Sequence, residues 1–194
     1  MKHRKHLGLV PILALIAACS SQPASPLFSA NLDGIDGPDL NFSTLESNRG
    51  SVVVFLAPDC PLSRNHTLTL NTMAEDFRHD GIEFYGIVAG DWYSDEEIAA
   101  FQETYQVGFP IGVDRDHAVT DFLGARVTPE VFLVDPDANV LYEGAIDNWA
   151  GALARHRTVT TGHYLRDALT DVSEGRAVGV RSMTAVGCFI EREG

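Results

Sequence analysis

The segment Ser51-Val52-Val53-Val54-Phe55-Leu56-Ala57-Pro58-Asp59-Cys60-Pro61-Leu62-Ser63-Arg64 decides how this chain is read. From Val52 to Ala57 the residues are apolar without alternation, the pattern of a strand buried on both faces. Pro58-Asp59 breaks the run. From Pro61 the period changes: Leu70, Met73, Ala74 and Phe77 fall at i, i+3, i+4 and i+7, one face of a helix, and Gly81 supplies the stop. Pro61 suits the first helical position, where a missing N–H costs nothing. Cys60 therefore stands between a strand end and a helix start. There it faces free backbone N–H groups and the positive end of the helix dipole, which favour thiolate over thiol and predict a depressed pKa. The competing reading is a buried, inert thiol. The succession strand, Cys, Pro, helix favours the reactive one.

Working outward, Ile82–Ala89 reads as a second strand, and Ser94-Asp95-Glu96-Glu97 as a capping box opening a helix with Ile98, Phe101 and Tyr105 inward. Phe109–Val113 predicts a short strand, and Val119-Phe122-Leu123 a short helix closed by Gly124. Val131–Val134 and Val140–Tyr142 flank Asp135-Pro136-Asp137-Ala138-Asn139, a hairpin signal. A last helix is expected over 161–174, with Leu165, Ala168, Leu169 and Val172 inward and Gly175 as its cap. Early alternation of strand and helix requires parallel strands joined by crossovers, whereas the hairpin is antiparallel. The expected architecture is thus α/β: a central mixed sheet with helices on both faces. In open sheets of this kind chemistry gathers beyond the carboxyl ends of the strands, which is where Cys60 falls.

Phe55-Leu56-Ala57-Pro58-Asp59-Cys60-Pro61 followed by a helix resembles the active-site segment of the thioredoxin-like redoxins, the group that includes periplasmic thiol–disulfide oxidoreductases and the alkyl hydroperoxide reductase/thiol-specific antioxidant family. The likeness spans about Asp33 to Glu174. It implies a thioredoxin-like fold, a catalytic thiolate at Cys60, and a cis Thr128-Pro129 bond where that group keeps its cis-proline loop. Pro61, Thr128 and Pro129 would frame a groove in which an extended substrate chain pairs with the Thr128 backbone. Ser63 occupies the place of a second CxxC cysteine. Its hydroxyl can hydrogen-bond a thiolate but cannot resolve a mixed disulfide. Where a peroxiredoxin carries a hydroxyl residue three positions before the cysteine and proline seven before, this chain has Ala57 and Val53. Disulfide exchange is therefore expected to exceed hydroperoxide reduction, which stands as the alternative, with Arg126 a further residue placed near the site.

Cys188, in Thr184-Ala185-Val186-Gly187-Cys188-Phe189-Ile190, lies beyond the last helix. A resolving role toward Cys60 and a structural disulfide or free buried thiol are both open for it. The histidines after the leader, His66, His79, His117, His156 and His163, show no metal-ligand spacing, so no cofactor or metal is expected. Copper held by Cys60, His66 and Cys188 is the alternative from a binding class, set back by Arg64 where a copper chaperone has its second cysteine. Arg155-His156-Arg157, inside an insertion over 148–160, borders the site or pairs with surface acids.

The N-terminus reads as an address. Lys2, Arg4 and Lys5 precede an apolar run, Leu7–Ala18, too short to span a bilayer, and Ile16-Ala17-Ala18-Cys19 resembles the bacterial lipobox, whose cysteine is lipidated. The expected organisation is a leader over 1–18, a Ser/Pro/Ala tether over 19–31, a domain over 32–175 and a C-terminal extension over 176–194. Such a protein is membrane-anchored through Cys19 on the periplasmic side, with Ser20 favouring the outer membrane. The 194 residues carry a formal charge of -13, and removing 1–18 leaves eleven basic against 27 acidic residues, or -16. A surface of that sign repels phosphates, which excludes nucleic-acid binding. Both lysines leave with the leader, so lysine-nucleophile chemistry is excluded as well. The expected partners are protein or small-molecule thiols and disulfides.

Overall fold

The computed structural model describes residues 25–152 and 155–192; the leader, the lipobox and Cys19 lie outside the described residues. In chain order the elements are α1 (Pro26–Ser29), β1 (Asn31–Gly34), β2 (Leu40–Asn41), a 3-10 turn (Phe42–Ser47), β3 (Gly50–Phe55), α2 (Pro61–Arg78), β4 (Ile82–Ala89), α3 (Asp95–Thr104), β5 (Ile111–Asp114), α4 (Ala118–Leu123), β6 (Val127–Thr128), β7 (Glu130–Val134), β8 (Val140–Gly144), β9 (Ala150–Ala152), β10 (Arg155–His156), α5 (Tyr164–Ser173), β11 (Ser182–Met183) and β12 (Cys188–Phe189).

Eight strands form the central sheet in the order β11-β8-β7-β3-β4-β5-β1-β2. β3 runs at its centre, parallel to β4 and antiparallel to β7, and β7 and β8 form the expected hairpin. The unbroken apolar run of β3 is explained by its two faces. Val52 and Val54 point into a core with Leu70, Met73 and Phe77 of α2, Ile98 and Phe101 of α3, and Leu165 and Leu169 of α5. Val53 and Phe55 point into a second core with Leu27, Phe42, Val119, Leu123 and Phe132. Each of these four β3 side chains is 0% exposed, and a fully buried Val or Phe contributes roughly 1.5–3 kcal/mol. The sheet is therefore mixed and covered on both sides, as expected, and the Ser94–Glu97 capping box forms with both of its hydrogen bonds.

Two boundaries differ from the sequence reading. The stretch read as tether does not stay free to residue 31: Pro at the first helical position and the Ser25 cap set up α1, and Leu27 is buried beneath it. The last helix starts at Tyr164 rather than 161, because Asn148 claims Thr161 through its backbone N–H and its hydroxyl and holds the preceding loop against the 147–149 turn.

The C-terminal extension returns across the fold instead of leaving it. β11 adds to the sheet edge parallel to β8, with Met183 opposite Gly144. Gly144 has φ +113, and a Cβ there would sit 1.8 Å from the Met183 carbonyl oxygen, so only glycine permits the approach. Replacing Gly144 by Ala is expected to cost about 2 kcal/mol or more and to detach the tail. Urea denaturation would show a lowered midpoint, and limited trypsinolysis a new cut at Arg181. An unchanged midpoint with Arg181 still protected would mean that another contact holds the tail.

Candidate active site

Cys60 is the N-cap residue of α2, with φ -75 and ψ 115, and Pro61 is the first helical residue. Its amide donates to the Ala57 carbonyl at 3.1 Å and its carbonyl accepts from Arg64 N at 3.1 Å, so the turn out of β3 is closed on both sides. Arg64 Nε donates to the Pro58 carbonyl at 2.7 Å, which pins the turn further. The thiol is 1% exposed and donates to the Thr128 carbonyl at 3.0 Å. The Thr128-Pro129 bond is cis, as the resemblance implied.

Thr128 lies in β6, and its strand partner is the tail: β12 pairs antiparallel with β6, Cys188 opposite Thr128 and Phe189 opposite Val127. Ile190 N donates to the Arg126 carbonyl at 3.0 Å, and Arg192 Nη2 donates to the Ala125 carbonyl at 3.0 Å while its other arm meets Asp121. Gly187 lets the tail enter, since a Cβ there would sit 2.4 Å from the Thr128 carbonyl oxygen. On the other side Glu130, 5% exposed, accepts from Arg126 N at 2.7 Å and Val127 N at 3.4 Å and so shapes the loop that carries Thr128. Cys60, Ser63, Thr128, Pro129 and Cys188 are thus brought to one place.

The electrostatics of the two thiols are opposite. Burial acts to raise Cys60, but hydrogen bonds from the Cys188 thiol, the Ser63 backbone N–H, the Cys188 backbone N–H and the Thr128 hydroxyl outweigh it, and the net direction is down. Cys188 is pushed up to about 12, first by burial and then by its hydrogen bond to Cys60 and the negative charges of Cys60 and Asp59. Of the pair, Cys60 is therefore the thiol that ionises first, and Cys188 is the one that keeps its proton. Thr128 Oγ1 is buried with no hydrogen-bond partner while Cys60 is a thiol; the thiolate is the acceptor that this hydroxyl lacks.

Ser63 acts differently from the sequence expectation. Its hydroxyl accepts from Ala57 N at 3.2 Å, tying off the end of β3, and it is the Ser63 amide that reaches Cys60. Arg126 is exposed and serves the tail through its carbonyl, and its guanidinium is not among the groups that act on Cys60. His66 Nδ1 faces the Leu62 carbonyl at 2.9 Å and Nε2 faces Asp147 at 3.3 Å, so both ring nitrogens are engaged by oxygen atoms. Burial acts to raise Asp147, but His66 and the Trp149 amide bring it below the ordinary carboxylate range. With both nitrogens engaged, a copper site built from Cys60, His66 and Cys188 has no free imidazole. The pair instead fastens α2 to the 147–149 turn, where Trp149 packs edge-on against His66 and stacks on His156.

Beside the thiols lies a cleft of about 500 Å³, walled by Leu56, Ala57, Ala89, Trp92, Tyr93, Phe189 and Ile190, with Thr128, Cys188, Asp59 and Glu191 as its polar groups. The Tyr93 hydroxyl donates to the Asp59 carboxylate. Two features of this site were not read from the sequence: the pairing of the tail with Thr128, whose one local signal is Gly187 before Cys188, and the unpartnered Thr128 hydroxyl, which has no sequence signal.

Comparison with solved structures places the fold among redoxins. An uncharacterized conserved protein from Geobacillus kaustophilus is 26% identical, with a TM-score of 0.75 over 84% of this chain and 88% of that one. A secreted disulfide oxidoreductase of Mycobacterium tuberculosis, homologous to E. coli DsbE, is 17% identical with a TM-score of 0.52 over 59% and 81%. The bacterioferritin comigratory protein of Xanthomonas campestris, associated with alkyl peroxide reduction, is 18% identical with a TM-score of 0.53 over 62% and 82%. At these last two identities the likeness shows the fold alone. A search of curated proteins gives no match. Residues 23–143, more than half of the chain, match the AhpC/TSA family, and the chain, a redoxin of thioredoxin-like fold with its cysteine where β3 meets α2, belongs to that family.

Proposed function

We propose that this protein is a membrane-anchored thiol–disulfide oxidoreductase in which Cys60 is the attacking thiolate and Cys188 the resolving thiol. The observation that carries this reading is the placement of Cys188 on β12 directly across the ladder from Thr128, whose carbonyl takes the Cys60 thiol at 3.0 Å at the N-terminus of α2. A Cys60 thiolate attacks one sulfur of a disulfide RSSR, forms Cys60-S-S-R and expels RS⁻, which takes a proton from solvent. Capping removes the negative charge beside Cys188, one of the causes that hold its proton in place. The Cys188 thiol then loses that proton and attacks Sγ of Cys60, and the second RS⁻ leaves to be protonated in turn. The protein ends as a Cys60–Cys188 disulfide, having given up two electrons and two protons to yield two RSH. The same steps reversed oxidise a dithiol.

Ser63 cannot take the resolving role, and its hydroxyl is already committed to Ala57. The structural neighbours named for disulfide oxidoreduction and for peroxide reduction share this fold, so fold alone does not choose between the chemistries. The site favours disulfides: Ala57 and Val53 offer no side-chain donor where a peroxidase would polarise a peroxide, and Val53 is buried on the far face of β3.

Non-reducing peptide mapping of protein oxidised with one equivalent of a small disulfide is expected to find a peptide linking Cys60 to Cys188, and a Cys188→Ser protein is expected to stop at the mixed disulfide. No linked peptide in the wild type, together with unimpaired turnover of the mutant, would remove Cys188 from the cycle. We also infer that Cys19 is acylated, with the domain on the periplasmic side of an outer membrane. The wild type is expected in the membrane fraction and Cys19→Ala in the soluble one; equal partition of both would contradict the anchor.

A further inference from the structure

The groove in which a redoxin would receive an extended polypeptide is occupied by this chain itself. Among the described residues β6 has one strand partner, β12, and the tail's backbone hydrogen bonds run on through Ile190 to Arg126. The tail passes close enough to Thr128 that only Gly187 fits, so no second strand enters between them. What stays open is the cleft of about 500 Å³ alongside, a size that suits a compact molecule. Its walls are apolar and aromatic, with Trp92 and Phe189 49% and 82% exposed at its mouth. Among the described residues its charged lining groups are Asp59 and Glu191, and no described Arg or His lines it. A ligand carboxylate there meets two carboxylates, with no cation in the lining to pair with.

Resting on the reading of Cys60 as attacking thiolate, we propose that the cleft selects compact apolar disulfides that are neutral or cationic, and excludes both anionic disulfides and extended polypeptides. The apolar substituent lies against Trp92, Tyr93 and Phe189, and the disulfide approaches Cys60 from the side lined by Asp59, Thr128 and Cys188. Asp59 and Glu191 attract an ammonium or tolerate a hydroxyl, and repel a carboxylate. The step is the exchange given above: the S–S bond of RSSR breaks, the Cys60–Cys188 bond forms, and two RSH leave with the two electrons and two protons of the protein dithiol. Because the selecting groups are partly open to solvent, the discrimination weakens as salt rises.

The test is single-turnover thiol release from the pre-reduced full chain. The probes are bis(2-hydroxyethyl) disulfide (neutral), cystamine (cationic), glutathione disulfide (anionic) and insulin (a polypeptide disulfide). Each rate is divided by that of dithiothreitol with the same probe, which removes intrinsic reactivity. The neutral and cationic probes are expected to exceed glutathione disulfide by about tenfold or more at low salt, the range that a single-signed cleft imposes. That gap is expected to narrow with added salt and in Glu191→Arg, and insulin is expected to be the slowest. Glutathione disulfide or insulin reacting as fast as the neutral probe would overturn the selectivity and leave the oxidoreductase reading standing. If no probe exceeds the Cys60→Ser protein, that reading itself fails, and the selectivity with it.

Discussion

The site depends on one contact, the pairing of β12 with β6 across the cis Thr128-Pro129 loop. It brings the Cys188 amide and thiol to Cys60, buries Cys60 to 1% exposure and forms one wall of the cleft. Without it Cys60 keeps the helix N-terminus and the Ser63 amide but loses two of the four hydrogen-bond donors that act on it, those of Cys188. The contact is assembled from far along the chain. Gly144 lets β11 dock at the sheet edge, Gly187 lets the chain close on Thr128, and Arg192 fastens the end to the Ala125 carbonyl.

The same contact sets two effects against each other at Cys60. Covering the thiol removes water from the anion, and that is the largest single influence on it, acting upward. The hydrogen bonds delivered by the covering strand act downward and together win. A cover without donors would have given an inert buried cysteine. The donors also explain the asymmetry of the pair: each thiol's proton is worth most on Cys188, where losing it would place two anions side by side. A resolving thiol held in reserve in this way becomes an effective nucleophile when Cys60 is capped and its charge removed.

The fold was legible in the sequence because its signals are local and strong. The unalternated run of β3, the Pro61 start and i, i+3, i+4, i+7 face of α2, and the Ser94–Glu97 capping box each specify an element within one window. Cys60 was legible for the same reason, since the strand-to-helix junction that defines it is contiguous. The remainder of the site was not, because it is made by contacts distant in sequence. Cys60 and Thr128 are 68 positions apart. Nothing near Cys188 states that its strand partner is β6, although Gly187 marks a close approach. Ser63 shows the limit of residue-type reasoning: the right residue was singled out, but its hydroxyl serves Ala57 and its amide serves Cys60. The docking of Leu27 ahead of β1 was not legible either, because a Ser/Pro/Ala composition conceals it.

Thiolate absorbance followed against pH tests the central claim most directly, comparing the reduced wild type with Cys188→Ala and Ser63→Ala. If the tail strand sets the charge of Cys60, the wild type shows one thiolate forming below the ordinary cysteine value of about 8.5 and no second thiolate until about 12. Cys188→Ala then moves the Cys60 midpoint upward, whereas Ser63→Ala leaves it near the wild-type position, because the Ser63 amide remains. A wild-type midpoint at or above the ordinary value, or one that Cys188→Ala does not move, would contradict the account.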